Sequence, residues 1–264
     1  LVYMENKNMN LTEEQLINNW TRLKLSIKDN FTGDRLEKLN NLYDDLGNNM
    51  MLAPASGIEH FHNSFAGGYV EHVLNVMNCT EKLYNIWSEM GADMSGYTKE
   101  EIMFCALNHD LGKVGDKDNE YYVPNPSEWH RKNQGKIYDP NPNIQHMTVP
   151  HRSIWLLQTY GIQFSQNEMI GILTHDGVYD SANDAYLKPW GKEKALWNNL
   201  PIILHHADHM ASRIEYEAWK SGSKIKSAFT KPKKSFDKKP SISSISSKPD
   251  SAQDMFKDLF GDSE

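Results

Sequence analysis

Asn108-His109-Asp110-Leu111-Gly112-Lys113 closes an apolar run that begins at Ile102 and passes through Phe104 and Leu107. An imidazole beside a carboxylate is a mixed nitrogen–oxygen donor pair of the kind that suits a divalent metal. Adjacent residues do not share a helix face. Both side chains therefore reach one ion only where the helix is ending, and Gly112 is placed to end it. Upstream, Thr98 and Glu101 have capping-box spacing, which starts the helix. A lone His-Asp pair is also how a hydrogen-bonded helix end looks, so the rest of the chain has to decide between the two.

Working outward, Gly67-Gly68 opens a helix from Tyr69 to about Met90, with Val70, Val73, Leu74 and Met77 facing inward and His72 near its start. A last helix runs from about Leu200 to Ser221. Its Asp208 lies among Ile202, Ile203, Met210, Ala211 and Ile214, with His205 three residues before it on the same side. A carboxylate on such a helix is either solvated or buried against a partner or a metal. Further helices are expected at about 149–160 and 166–174. His151 opens the first of these, and His175-Asp176-Gly177 closes the second. Residues 11–48 read as two more, the first capped by Thr12 or Asn10 and the second running from about Asp34 to Gly47. Eleven histidines are present, and at least five fall at helix ends or on a helix that also bears an acid.

Two stretches lack helical period. Residues 113–148 are rich in Asp, Asn, Pro, Tyr and Trp and are expected to form a long irregular loop, with a short hairpin pairing Tyr121-Tyr122-Val123 with Lys136-Ile137-Tyr138. A second loop covers 175–194. The fold class that follows is all-α, a helical bundle, divided into an N-terminal helical extension (1–50), a main domain (51–221), a basic Ser/Lys/Pro linker (222–250) and an acidic amphipathic tail (251–264) expected to be disordered.

The net charge of −7 is unevenly spread. Residues 222–250 hold eight Lys against two Asp, and residues 251–264 one Lys against four acids, which leaves −10 on residues 1–221. No apolar run approaches the ~20 residues of a membrane span, and the start of the chain lacks the order of a signal peptide. Two cysteines, Cys79 and Cys105, make no disulfide framework. These features point to a cytoplasmic protein that does not engage a membrane. Phosphate-loop, nucleophile-elbow and paired-cysteine zinc motifs are missing from the sequence.

Taken together, Gly67-Gly68-Tyr-Val-Glu-His72, His109-Asp110-Leu-Gly-Lys113 and His205-His206-Ala-Asp208 resemble the HD superfamily of metal-dependent phosphohydrolases, over roughly residues 51–216. The nearer likeness is to the HD domain of bacterial 3′→5′ exoribonucleases. It extends to Ala53-Pro54-Ala55 with His60 and His62, to Pro150-His151-Arg-Ser153, and to Leu173-Thr-His175-Asp-Gly177. Asp176 departs from that branch, which has a second His there, and His206 stands where Tyr is frequent. The branch's nucleic-acid-binding OB domain has no counterpart here. The resemblance implies that His72, His109, Asp110 and Asp208 hold a divalent ion (Mn, Mg, Fe, Co, Ni or Zn). It implies a second ion on His151 and His175 with Asp110 bridging, and Lys113 facing a substrate phosphate.

The activity implied is hydrolysis of a nucleotide phosphate ester by metal-activated water, with Asp110 and Lys113 as catalytic residues. Arg152 and Arg131 are candidates to bind substrate phosphate, and Trp129 and its neighbours to stack on a base. Two alternatives stay open: a phosphodiesterase or 3′→5′ exonuclease acting on single-stranded nucleic acid, and a non-catalytic replication accessory protein. The tip Gln253–Phe260 is similar to peptides that dock replication clamps or other replisome proteins, which suits a phage-encoded enzyme working in its host's cytoplasm.

Overall fold

The computed structural model describes residues 11–189 and 191–222. The basic linker, the acidic tail and its Gln253–Phe260 motif lie outside the described residues. Ten α-helices, four short 3-10 turns and one two-stranded ribbon make up the described part, so the architecture is all-α.

α1 (Glu13–Asn30) starts at Thr12. The Thr12 hydroxyl accepts from the backbone of Gln15, whose side chain in turn accepts from the Thr12 N–H. α2 (Gly33–Asp45) and α3 (Gly47–Leu52) follow, then the long α4 (Gly68–Glu89). α5 (Lys99–Asn108) begins on the expected Thr98–Glu101 capping box. After a turn at Leu111–Val114 come β1 (Tyr122–Pro124), α6 (Glu128–Gln134) and β2 (Tyr138–Pro140), then α7 (Val149–Thr159), α8 (Gln166–Leu173), α9 (Asp184–Leu187) and α10 (Leu200–Ser221).

The centre of the bundle is α4 packed along α10. α5 lies against both, and α8 lies against α5 and α10. Leu107, Ile203, Leu204 and Val73 are fully buried there, each contributing about 1.5–3 kcal/mol of apolar transfer. The expected division at 50/51 falls inside α3. Leu23, Ile27, Leu39 and Tyr43 from α1 and α2 share one apolar core with α4, α5 and α10, so the first helices are built into the bundle rather than appended to it. Arg35 of α2 reaches across to the fully buried Glu168 of α8 in a two-pronged ion pair (2.6 and 3.1 Å), the geometry best suited to a guanidinium and a carboxylate.

Three sequence expectations need correction. The strands pair Val123 with Asp139, one and two residues beyond the proposed hairpin. The segment between them is not irregular, because Ser127 caps α6 and Gly135, in the left-handed region at φ 62°, ends it. α5 ends at Asn108 rather than at Gly112. Gly112 instead allows close approach: a Cβ there would lie 2.2 Å from the Val149 carbonyl oxygen of α7. Its N–H donates to Ser153 Oγ (2.8 Å), and that hydroxyl donates to the His109 and Val149 carbonyls (3.2 and 3.1 Å).

Gly112→Ala should therefore overpack the α5–α7 joint and cost about 1–3 kcal/mol, a fall in Tm of roughly 2–12 °C by thermal melting. An unchanged Tm would refute the close-approach role.

Candidate metal centre

Four elements converge at one end of α5. His109 caps its C-terminal end, still with helical angles (φ −54°, ψ −43°), and at Asp110 the backbone turns away (φ −105°, ψ 12°). That break lets neighbouring side chains point into one space. His72 stands one turn into α4, Asp208 is midway along α10, and the α4–α10 packing sets them face to face. His175 follows the end of α8.

The donor atoms are close. His72 Nε2 is 3.2 Å from Asp208 Oδ1, 3.6 Å from Asp110 Oδ2 and 3.4 Å from His109 Nε2. His109 Nε2 is 3.4 Å from Asp110 Oδ2 and 4.0 Å from Asp208 Oδ1. With metal–ligand bonds of about 2.1 Å, two donors on one ion stand about 3 Å apart at right angles and about 4.2 Å when opposite. All five distances fall in that range. The other carboxylate oxygen, Asp110 Oδ1, faces His175 Nε2 at 3.5 Å. Asp110 thus turns one oxygen to each side of the cluster. Lys113 Nζ sits 2.6 Å from Oδ2.

The imidazoles are each held from behind. His109 Nδ1 bonds the Ala106 carbonyl (2.9 Å) and His175 Nδ1 the Ile172 carbonyl (2.8 Å). His72 Nδ1 bonds Glu215 of α10 (3.0 Å), a carboxylate that also accepts from Asn75 (2.8 Å). With Nδ1 committed as a donor, each ring turns Nε2 inward, the orientation that metal-bound histidines take. His72, His109 and His175 are buried, as are Asp110 and Glu215.

Burial opposes charge here, and neighbouring charges override it. Desolvation alone would lower His72, but Glu215 and Asp208 raise it to about 10. Desolvation would likewise lower His175, but Asp176 and Asp110 raise it to about 9. Asp110 would be raised by burial, yet Lys113 and His109 hold it well below the usual carboxylate range. Asp208 is held down in the same way by the His72 hydrogen bond and the surrounding imidazoles. Lys113 is raised by Asp110 against its own burial. Without a metal, the two carboxylates are matched by protonated imidazoles and an ammonium. A divalent cation can replace those protons charge for charge.

His72, His109, Asp110, Asp208 and His175, all expected from the sequence, thus meet within ligand-sharing distance, as overlapping groups that can hold a metal ion. His151 does not join them. It is exposed at the start of α7, and its Nδ1 pairs with Thr148 Oγ1 (2.6 Å). The first turn of α7 sends its side chain outward, while Ser153, two residues on, faces the site. Arg152 is buried, donating to the Gln145 carbonyl and lying over Tyr121 (5.7 Å), so it braces the 113–148 segment. Arg131 lies on α6 and donates to the Asn125 carbonyl. His205 turns from the ligand cluster to the His175 carbonyl (3.0 Å).

Three participants went unassigned as ligands or supports in the sequence reading. Asp176 joins His175 and Asp208, and His62 joins His72 and Asp110, in further groups of the same kind. Glu215 lies seven residues beyond Asp208, two turns along α10, a spacing that puts it on the same face.

No protein-family model, curated protein or solved structure matches the chain.

Since His72 and His175 carry raised pKa values, metal uptake at pH 7 should release one to two protons, and affinity should rise by about tenfold or more per pH unit between pH 6 and 8. Calorimetry in buffers of different ionisation enthalpy measures this, and a pH-independent affinity would contradict the assignment. Glu215→Gln should weaken metal binding by about 10–100-fold, the scale of losing a partner behind a ligand, as read by chelator competition.

Proposed function

We propose that this chain is a metal-dependent phosphohydrolase of the HD type, hydrolysing a phosphate ester of a nucleotide. The observation that carries this reading is that Asp110 and Asp208 each place an oxygen within 4.0 Å of the Nε2 atoms of both His72 and His109, with Lys113 Nζ beside Asp110. Two imidazoles and two carboxylates match divalent ions such as Mn, Fe, Co, Ni or Zn, and also Mg. Asp110 turns one oxygen to the His72/His109 pair and the other to His175, so the residues there would suit either one divalent ion or two.

A divalent ion bound there supplies Lewis acidity and activates water near neutral pH. Asp110 and Asp208 keep their negative charge in the buried site and so hold the cation. His72, once its proton is displaced, and His109 present fixed nitrogens to the cation. Lys113, held at its place by Asp110, offers an ammonium to phosphoryl oxygens as charge builds on them. Residues 1–221 carry −10, which repels a long polyanion more than a single nucleotide. That favours a small substrate over a nucleic-acid strand.

The test is a panel of mononucleotides alongside labelled single-stranded DNA and RNA, each with Mn²⁺. Nucleotide turnover without strand shortening is expected. Asp110→Ala should lower turnover by about 10³-fold or more, and Lys113→Ala should lower kcat by about 10²–10³-fold. Strand shortening would transfer the activity to polynucleotides. Absence of any metal-dependent turnover would point to an accessory role.

A further inference from the structure

We propose that His62 is a further protein ligand of the cation held by His72 and Asp110. This rests on the metal-centre reading above but not on the identity of the reaction.

His62 lies in the loop that crosses the start of α4. Its Nε2 is buried and has no hydrogen-bond partner. A buried polar atom left unpaired costs about 1–3 kcal/mol, and such atoms in native structures need a partner that accounts for them. The ring lies against the cluster: the His62 ring centroid is 4.6 Å from that of His72, at 36°. The donor atoms of His62, His72 and Asp110 all lie within 4.8 Å of one another.

The backbone is shaped to hold the ring there. Asn63 has φ 41°, in the left-handed region that a non-glycine residue adopts at a cost. The Asn63 carbonyl accepts from the Ala55 N–H (3.1 Å) and presses on α4 so closely that a Cβ at Gly68 would stand 2.0 Å from its oxygen. Gly67, at φ 86°, makes the turn into the helix. The Gly67-Gly68 pair thus seats the His62 loop directly over His72. Without a role for the ring, this unpaired nitrogen and constrained loop have no counterweight.

With His62 added, the cation held by His72 and Asp110 would gain one more neutral imidazole. That addition would shift preference towards Fe, Co, Ni or Zn and away from Mg.

The experiment is titration of metal-stripped full-length protein with Co²⁺, followed by calorimetry and by the ligand-field absorption of the bound ion. Wild type is compared with His62→Ala, His62→Gln and His72→Ala, and metal-free melting curves check each fold. Both His62 variants should bind Co²⁺ about 10–100-fold more weakly, with an altered absorption band, and free imidazole should restore the band in His62→Ala. Wild-type affinity and spectrum in both His62 variants, with binding lost in His72→Ala, would overturn the role of His62 while leaving the centre intact. A wild-type chain that takes up no Co²⁺ would overturn both.

Discussion

Asp110 is a carboxylate with almost no access to water, and everything around it answers that one charge. An unmatched buried carboxylate would take up a proton or move to the surface. Here Lys113 Nζ touches one oxygen at 2.6 Å, while His109 and His72 approach the same oxygen and His175 approaches the other. α4 and the ends of α5 and α8, which position these groups, have to be where they are for the charge to be tolerated. Each imidazole is in turn fixed from behind by a carbonyl or by Glu215. The result is a set of donors pre-arranged at ion-sharing distances.

That arrangement explains features that look unrelated to chemistry. Tyr43 of α2 donates to the Leu107 carbonyl (3.1 Å) at the last turn of α5, so the N-terminal helices help fix the point where His109 leaves the helix. Ser153 of α7 bonds the backbone on both sides of the same break, accepting from Gly112 and donating to His109. Arg35 clamps α2 to α8, the helix that ends just before His175. A metal site gains affinity from rigid ligands, and these three anchors come from outside the ligand set.

The placement of positive charge also separates roles that residue type alone leaves merged. Lys113 is mostly buried and paired with the Asp110 carboxylate, whereas Arg152 and Arg131 spend their hydrogen bonds on backbone carbonyls of the 113–148 segment. Of the three cations first considered for substrate phosphate, Lys113 stands at the cluster. Trp129 on α6 stays exposed, on the same segment that Arg152 and Arg131 brace.

Much of this was legible in the chain as written. Apolar period, the Thr98–Glu101 capping box and the Gly67-Gly68 break are local signals, and they located α4, α7, α8 and α10 to within a residue or two and the start of α5. The His-Asp dipeptide at a helix end announced a donor pair, because only a terminating helix lets neighbours converge. What sequence could not carry was direction across space. His151 and Ser153 sit two residues apart on α7, and only packing decides that the serine turns inward to the α5 break while the imidazole turns to solvent. Glu215 reads as one more acid on a long helix until α10 is laid along α4 and its carboxylate meets His72. His62 reads as a loop histidine until a glycine without a side chain lets its loop close over the site. Local propensity is set by neighbours along the chain, but the company a charge keeps in a buried site is set by helices far apart in sequence, and only the tertiary structure decides it.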